Sequence, residues 1–335
     1  MNKSIGIVII GRNEGDRLER CLESVIGASR NVIGSLKNII YVDSGSTDES
    51  VSFAKKRGIS VVELDTSSPF SAARGRNAGF NHLMKINPNV NYVQFIDGDC
   101  QLIDGYLEEA VKFFNSQQSY AIVCGRLREQ YPDRSVYNRL CDIEWDSTVG
   151  DISRCGGIFM ARAKAYKEVG GMSPTIIAGE ESDMCIRLRL KEWKIFRIDH
   201  DMAWHDAGMT KFSQWWKRSK RTGYSYALGA SIHGKTKFHH SIREKRSALF
   251  WGLVIPLIII IFSLIIDVRL FLLFGIYILL VIRLYIRLYK QNRNHFNSFL
   301  FASNCIAAKF PQVLGIIQFN INQLLKRENQ IIEYK

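Results

Sequence analysis

Apolar residues along the chain fall into two regimes. Up to about residue 205, short runs rich in Val and Ile (5–10, 38–42, 60–64, 92–96 and 121–124) alternate with stretches of helical spacing (16–26, 48–57, 72–86 and 106–115). The runs are apolar throughout rather than at alternate positions, as strands covered on both faces must be. Strands alternating with helices of this length predict βαβ units and a mostly parallel, Rossmann-like α/β sheet flanked by helices. Ser46-Thr47-Asp48-Glu49 follows a glycine turn and supplies the side-chain acceptors that start a helix. Ligands of open sheets sit beyond the carboxyl ends of the strands, which directs attention to the residues just after each run.

The second regime begins near Met209. No charge falls between Arg246 and Asp267, so 247–266 offers about twenty uncharged residues, enough to cross a bilayer core of roughly 30 Å. A second run, 270–286, carries only Arg283, near enough to its end for the side chain to reach the interface. With Asp267-Val268-Arg269 between them, the two runs predict a transmembrane hairpin. Arg243, Lys245 and Arg246 before it, and Arg287, Lys290 and Arg293 after it, place both outer ends in the cytoplasm. The stretch 296–325 is interrupted by Asn304, Lys309, Pro311, Gln312 and Asn320, and reads as an interfacial or re-entrant helix. Gln214-Trp215-Trp216-Lys217-Arg218 reads as an amphipathic helix with indoles at headgroup level and basic groups facing lipid phosphates. The expected division is a sheet-bearing domain over 1–230, then a basic juxtamembrane segment and helical membrane region over 231–335.

Composition sharpens this picture. With 47% hydrophobic and 23% charged residues and only six prolines in 335, long disorder is not expected. The net charge of +13 suits nucleic acid, an anionic membrane or phosphorylated substrates. Much of the positive charge lies over 211–246, directly before an apolar run, which favours membrane lipids and leaves no expectation of a nucleic-acid partner. Seven cysteines without CxxC spacing read as reduced thiols. Met1-Asn2-Lys3-Ser4 leads straight into a short β-like run, which reads as no signal peptide.

The strand ends carry the candidate chemistry. After 5–10 comes Gly11-Arg12-Asn13-Glu14, after 38–42 comes Asp43-Ser44-Gly45-Ser46-Thr47-Asp48, and after 92–96 comes Asp97-Gly98-Asp99. Each delivers polar groups to one edge of the sheet, although Asp48 by itself reads as a helix cap. Two carboxylates two residues apart after a buried strand crowd negative charge where desolvation is costly. A hard divalent cation, Mn²⁺ or Mg²⁺, offsets that crowding through oxygen ligands.

Together these motifs resemble the family-two inverting glycosyltransferases of the GT-A fold, in particular the bacterial, membrane-associated enzymes of glycan biosynthesis. The resemblance covers 4–226. It implies that Asn13 and Glu14 lie in the uridine-contacting loop, and that Asp43, with Ser44 beside it, contacts the base. It implies that Ala73-Arg74-Gly75-Arg76-Asn77 begins a helix lining the nucleotide site, with Arg74 and Arg76 as donors to the phosphates. Asp97 and Asp99 stand in the metal motif, Asp97 also touching the donor, and His205 resembles a histidine that completes the metal shell. Cys155-Gly156-Gly157-Ile158-Phe159-Met160 resembles the strand shaping the donor-sugar pocket, through Gly157. Gly179-Glu180-Glu181-Ser182-Asp183 resembles the segment that supplies the catalytic base. There Glu181 stands where the family has Asp, so the base is Glu181, with Glu180 and Asp183 as alternatives.

The resemblance further implies transfer of one sugar from a nucleotide sugar, with UDP the expected nucleotide. The acceptor would be a lipid-linked or membrane-proximal glycan of cell-surface polysaccharide synthesis. The catalytic domain would lie on the cytoplasmic side of the inner or plasma membrane, and an oligomer is compatible with this. A sugar nucleotidyltransferase is the rival reading, but it calls for a Gly-rich loop that Gly11-Arg12-Asn13-Glu14-Gly15 does not supply. A non-catalytic membrane scaffold on the same fold is the other.

Overall fold

The computed structural model describes residues 4–30 and 35–327. The chain divides into two compact units, one of Met1–Gln130 and Trp145–Asp206, the other of Tyr131–Glu144 and Ala207–Lys335.

The first unit is built on a nine-stranded sheet. Its strands are β1 (Ser4–Gly11), β2 (Ile39–Asp43), β3 (Ser60–Glu63), β4 (Val90–Asp97), β5 (Cys100–Leu102), β6 (Tyr120–Glu129), β7 (Gly150–Asp151), β8 (Phe159–Arg162) and β9 (Lys194–His205). The order is β3-β2-β1-β4-β8-β6-β9-β5, with β7 paired to β9. β1 to β4 run parallel, with helices Asp16–Ser29, Ser50–Lys56 and Ala72–Ile86 as crossovers. Ile7, Val8, Ile9 and Ile39–Val42 are fully buried, which accounts for the unbroken apolar runs in the sequence. β8 enters antiparallel between β4 and β6, while β9 is parallel to β6. Phe95 of β4 meets Phe159 of β8 and Tyr166 in the core, with ring centroids 5.0 and 4.9 Å apart.

All five strands expected from the sequence form, as do the four helices. The second helix begins at Ser50 rather than at residue 48. The Asp48 carboxylate lies outside it, accepting from the Ser50 and Gly15 amides at 3.0 Å each. β9 escaped the apolar-run reading because Asp199, His200 and Asp201 interrupt it, and β5 and β7 are too short to leave a pattern.

Register sets the working edge of this sheet. Gly11 pairs with Asp43 and Ile10 with Asp97, so the carboxyl ends of β1, β2 and β4 are level. Phe95 pairs with Phe159, which brings Gly157, two residues before Phe159, up to Asp97, two residues after Phe95.

The second unit is helical. Helix Phe212–His233 packs along helix Lys309–Leu324 with glycines at the contact. A Cβ on Gly223 would meet the Gln312 carbonyl oxygen at 1.9 Å, and one on Gly315 would meet that of Lys220 at 2.0 Å. Trp215 Nε1 donates to Asn304 Oδ1 at 2.8 Å, Asn304 Nδ2 donates to Glu144 at 3.3 Å, and Arg218 pairs with Glu144 at 2.7 Å.

Three helical stretches are long and apolar enough to cross a membrane: Ile242–Ile265, Val268–Gln291 and His295–Leu324. The first contains a π-helical turn, Phe250–Val254, that ends two residues before Pro256, which lacks the N–H an α-helical turn would use. The first two correspond to the expected hairpin. The third spans the stretch read as interfacial or re-entrant, its two helices joined through Ala308 in helical conformation. Two of the polar residues that interrupt it have protein surroundings: Asn304 is bonded to Trp215, and Gln312 is buried against Gly223.

Candidate active site

The loops after β1 and β2 are bonded into one rim. Asp43 is 2% exposed, and its Oδ1 accepts from the Tyr41 hydroxyl at 3.0 Å and Ser46 Oγ at 2.5 Å. Its Oδ2 accepts from the backbone amides of Gly45 and Ser46 at 2.9 and 2.8 Å. Burial, together with the adjoining Asp43 carboxylate, pushes the Tyr41 phenol far above its ordinary range, so its proton stays in that bond. Across the rim, Asn13 has left-handed backbone (φ 54°), donates its amide to Ser46 Oγ at 2.9 Å and accepts from the Thr47 amide at 2.8 Å. The Ser44 amide donates to the Gly11 carbonyl at 3.0 Å, and Glu14 pairs with Arg17 at 2.9 Å. Asn13, Asp43 and Ser44 are thereby brought together, with the Asp43 side chain fixing the turn.

Beneath the next strand end lies a buried guanidinium. Helix Ala72–Ile86 carries Arg76, 2% exposed, whose Nη2 donates to Asp97 Oδ1 at 2.7 Å. Its Nη1 lies 3.6 Å from Glu181 and 3.9 Å from Glu180. Burial, with Asp99 and Glu181 nearby, pushes the Asp97 carboxyl above its ordinary range against the pull of Arg76. Gly157 closes over this group. A Cβ there would stand 2.8 Å from Arg76 Nη2, 3.2 Å from Asp97 Oδ2 and 3.5 Å from Glu181 Oε1.

The three acids considered for the base lie in the first turn of helix Glu180–Leu190, where negative charge complements the helix N-terminus. They differ in surroundings. The Asp183 carboxylate takes two bonds from Arg187, at 2.7 and 2.9 Å, and Arg187 also donates to the Gly171 carbonyl at 2.8 Å. Glu180 is buried, whereas the Glu181 side chain keeps 19% exposure, its Oε1 3.5 Å from where a Gly157 Cβ would stand.

Asp99 and His205 also come together. β5 pairs antiparallel with β9 so that Cys100 stands opposite His205, and His205 Nε2 lies 3.2 Å from Asp99 Oδ2. Donor atoms of Asp99, Cys100 and His205 all lie within 4.8 Å of one another, a set that fits one cation. The His205 ring stacks on Trp145 at 4.9 Å, and Arg197 holds the Trp145 carbonyl at 2.8 Å. Cys100, Trp145 and Arg197 were not singled out from the sequence. Only the adjacency of Cys100 to Asp99 was there to be noticed, since the other two reach the site through a long-range strand register.

Two expected nucleotide-lining residues carry other contacts. Arg74 turns to the preceding loop, donating to the carbonyls of Asp65 and Ser68 at 2.7 and 2.9 Å. Asn77 clamps the 171–172 turn, donating to the Met172 carbonyl at 2.7 Å and accepting from the Met172 amide and the Tyr166 hydroxyl. A groove of about 430 Å³, lined by Phe80, Met84, Val90, Arg162 and Lys167, lies at the opposite end of β4 and includes none of the candidate residues.

Comparison with known proteins gives this arrangement a family. Residues 6–170 match the model of glycosyl transferase family 2, and 144–211 match that of the N-terminal domain of galactosyltransferase. Among solved structures, the mannosyltransferase PcManGT from Pyrobaculum calidifontis, in complex with GDP-Man and Mn²⁺, superposes with a TM-score of 0.65 at 13% identity, over 95% of this chain and 88% of that one. TarS from S. aureus gives a TM-score of 0.48 at 12% identity; the match covers 67% of this chain but only 39% of TarS. No curated protein matches the sequence. With the family model lying over β1 to β8 and the fold shared with the mannosyltransferase, residues 6–170 form a family-two glycosyltransferase domain.

Proposed function

We propose that this glycosyltransferase is metal-dependent and inverting, moving one sugar from a nucleoside-diphosphate sugar to a lipid-linked or membrane-proximal glycan. The observation that carries the reading is the level register of three strand ends, with Asp97 on Arg76 and Asp99 on His205. UDP remains the expected nucleotide from the motif resemblance. The neighbouring mannosyltransferase, solved with GDP-Man and Mn²⁺, supports a nucleotide-sugar donor and a divalent cation in general terms. Residues 1–230 form the proposed catalytic domain and 231–335 the membrane region. Three apolar helical stretches in the same chain support a membrane-proximal acceptor, and the basic flanks of the first two support a cytoplasmic face for transfer.

In this mechanism the rim of Asn13, Glu14, Asp43 and Ser44 receives the nucleoside. Asp99 and His205 would hold the cation, with Asp97 facing the same edge. When bound, Mn²⁺ or Mg²⁺ offsets charge on the departing diphosphate by several kcal/mol. Glu181 accepts the proton of the acceptor hydroxyl as that oxygen attacks the anomeric carbon from the face opposite the leaving group. Positioned proton transfer of this kind contributes typically about 10²- to 10⁴-fold in rate. Arg76 acts from beneath, orienting Asp97 and Glu181 and offsetting their charge. Gly157 leaves the space above them open to the donor sugar. Asp183, held by Arg187, keeps a structural part.

Two variants separate these roles. Glu181→Gln is expected to keep nucleotide binding and lose turnover by about 10²-fold or more; near-normal turnover would remove it from the base role. Asp99→Asn is expected to abolish the Mn²⁺-dependent part of nucleotide affinity; affinity indifferent to Mn²⁺ in the parent protein would sink the metal reading.

A further inference from the structure

The strand pairing that joins Asp99 to His205 brings a third donor with it. Cys100 and His205 are directly opposed on antiparallel β5 and β9, so their side chains leave the sheet on one face. Cys100 Sγ lies 3.4 Å from Asp99 Oδ1, and His205 Nε2 lies 3.2 Å from Asp99 Oδ2. Ligands held by one ion at about 2.0–2.3 Å stand roughly 3–4 Å from each other. The three donor atoms, all within 4.8 Å, need only small rotations to reach that spacing. Cys100 is fully buried and none of the chain's cysteines is in a disulfide. Stacking on Trp145, whose carbonyl Arg197 holds, orients the His205 ring from the other side.

We propose that Cys100 is a third protein ligand to the cation held by Asp99 and His205, and that its thiolate makes the site select a borderline cation such as Zn²⁺ or Co²⁺, and Mn²⁺ after them, over Mg²⁺. The proposal rests on the reading that Asp99 and His205 hold a metal. Thiolate and imidazole bind borderline cations far better than they bind Mg²⁺, which takes oxygen. On binding, the Cys100 S–H bond breaks heterolytically: the sulfur lone pair enters the cation and the proton leaves to water. One carboxylate and one thiolate match the cation's double charge within the protein. The cation therefore binds before any nucleotide arrives, where a site of lone carboxylates would wait for the diphosphate.

The test uses the full-length protein in detergent, without nucleotide, titrated with Co²⁺. Expected are visible bands of bound Co²⁺ together with a near-ultraviolet sulfur-to-cobalt charge-transfer band, both lost in Asp99→Asn. Cys100→Ser is expected to lose the charge-transfer band and to bind Co²⁺ roughly tenfold or more weakly, the scale of losing a supporting group at a metal site. Competition in the unaltered protein, which does not depend on the variants folding, should show Zn²⁺ displacing Co²⁺ stoichiometrically and a large excess of Mg²⁺ failing to do so. Bound Co²⁺ without the sulfur band, or ready displacement by Mg²⁺, overturns the thiolate ligand and leaves the metal reading standing. No Co²⁺ uptake without nucleotide overturns the thiolate ligand, and the metal reading falls with it only if Co²⁺ still fails to bind once nucleoside diphosphate is added.

Discussion

Arg76 carries more of the site than any other single residue. A guanidinium 2% exposed and facing Asp97, Glu180 and Glu181 is stable there only because the carboxylates offset its desolvation. Removing it leaves three acids crowded without a counter-charge. Arg76→Met is therefore expected to destabilise the first unit by about 3–5 kcal/mol, the scale of breaking a buried ion pair. Arg76→Lys keeps the charge but loses the planar fork, and should recover part of that stability and little turnover. Thermal unfolding and donor turnover measured on both variants check this; a Met variant as stable as the parent would contradict it. The residues a reader of the sequence finds are those that follow strands, Asp43, Asp97 and Asp99 among them, because strand ends can be located from apolar runs. Cys100, Trp145 and Arg197 are not found that way. Their part depends on β9 lying beside β5, a pairing that spans about a hundred residues and leaves no local signal.

Elements divide along the same line. β1 to β4 are legible because parallel strands buried on both faces must be apolar at every position. β9 carries three consecutive charged or polar residues, and β8 is only four residues long, so the antiparallel part of the sheet, and with it the position of Gly157, comes from tertiary pairing. In the second unit, two of the polar residues behind the interfacial or re-entrant reading of 296–325 have protein partners: Gln312 is buried against Gly223 and Asn304 is bonded to Trp215. The helix pair itself rests on glycine. Because a Cβ at Gly223 would meet backbone at 1.9 Å, Gly223→Val cannot be absorbed by turning a side chain. It should separate helices Phe212–His233 and Lys309–Leu324 and cost about 1–3 kcal/mol or more. Thermal unfolding in detergent reads the loss, and an unchanged midpoint would mean the helices do not pack this closely.

At the scale of the whole molecule, charge and apolarity are segregated along the chain. The net charge of +13 is concentrated before and after apolar helices rather than over the sheet's working edge, which is acidic. That distribution suits a protein whose C-terminal helices enter a bilayer while basic flanks meet lipid phosphates. The full chain is expected to stay with membranes through an alkaline carbonate wash, which releases proteins held by charge alone; release into the supernatant would contradict insertion of the helices. Sugar transfer at the acidic edge is the central claim, and its most direct measurement is release of nucleoside diphosphate from a panel of nucleotide sugars by the purified full-length protein, with Mn²⁺ and with a chelator. Release from at least one donor with Mn²⁺, suppressed by the chelator and restored on adding the cation back, is the predicted result. Release that is equal in the presence of the chelator, or absent for every donor with Mn²⁺, would contradict it.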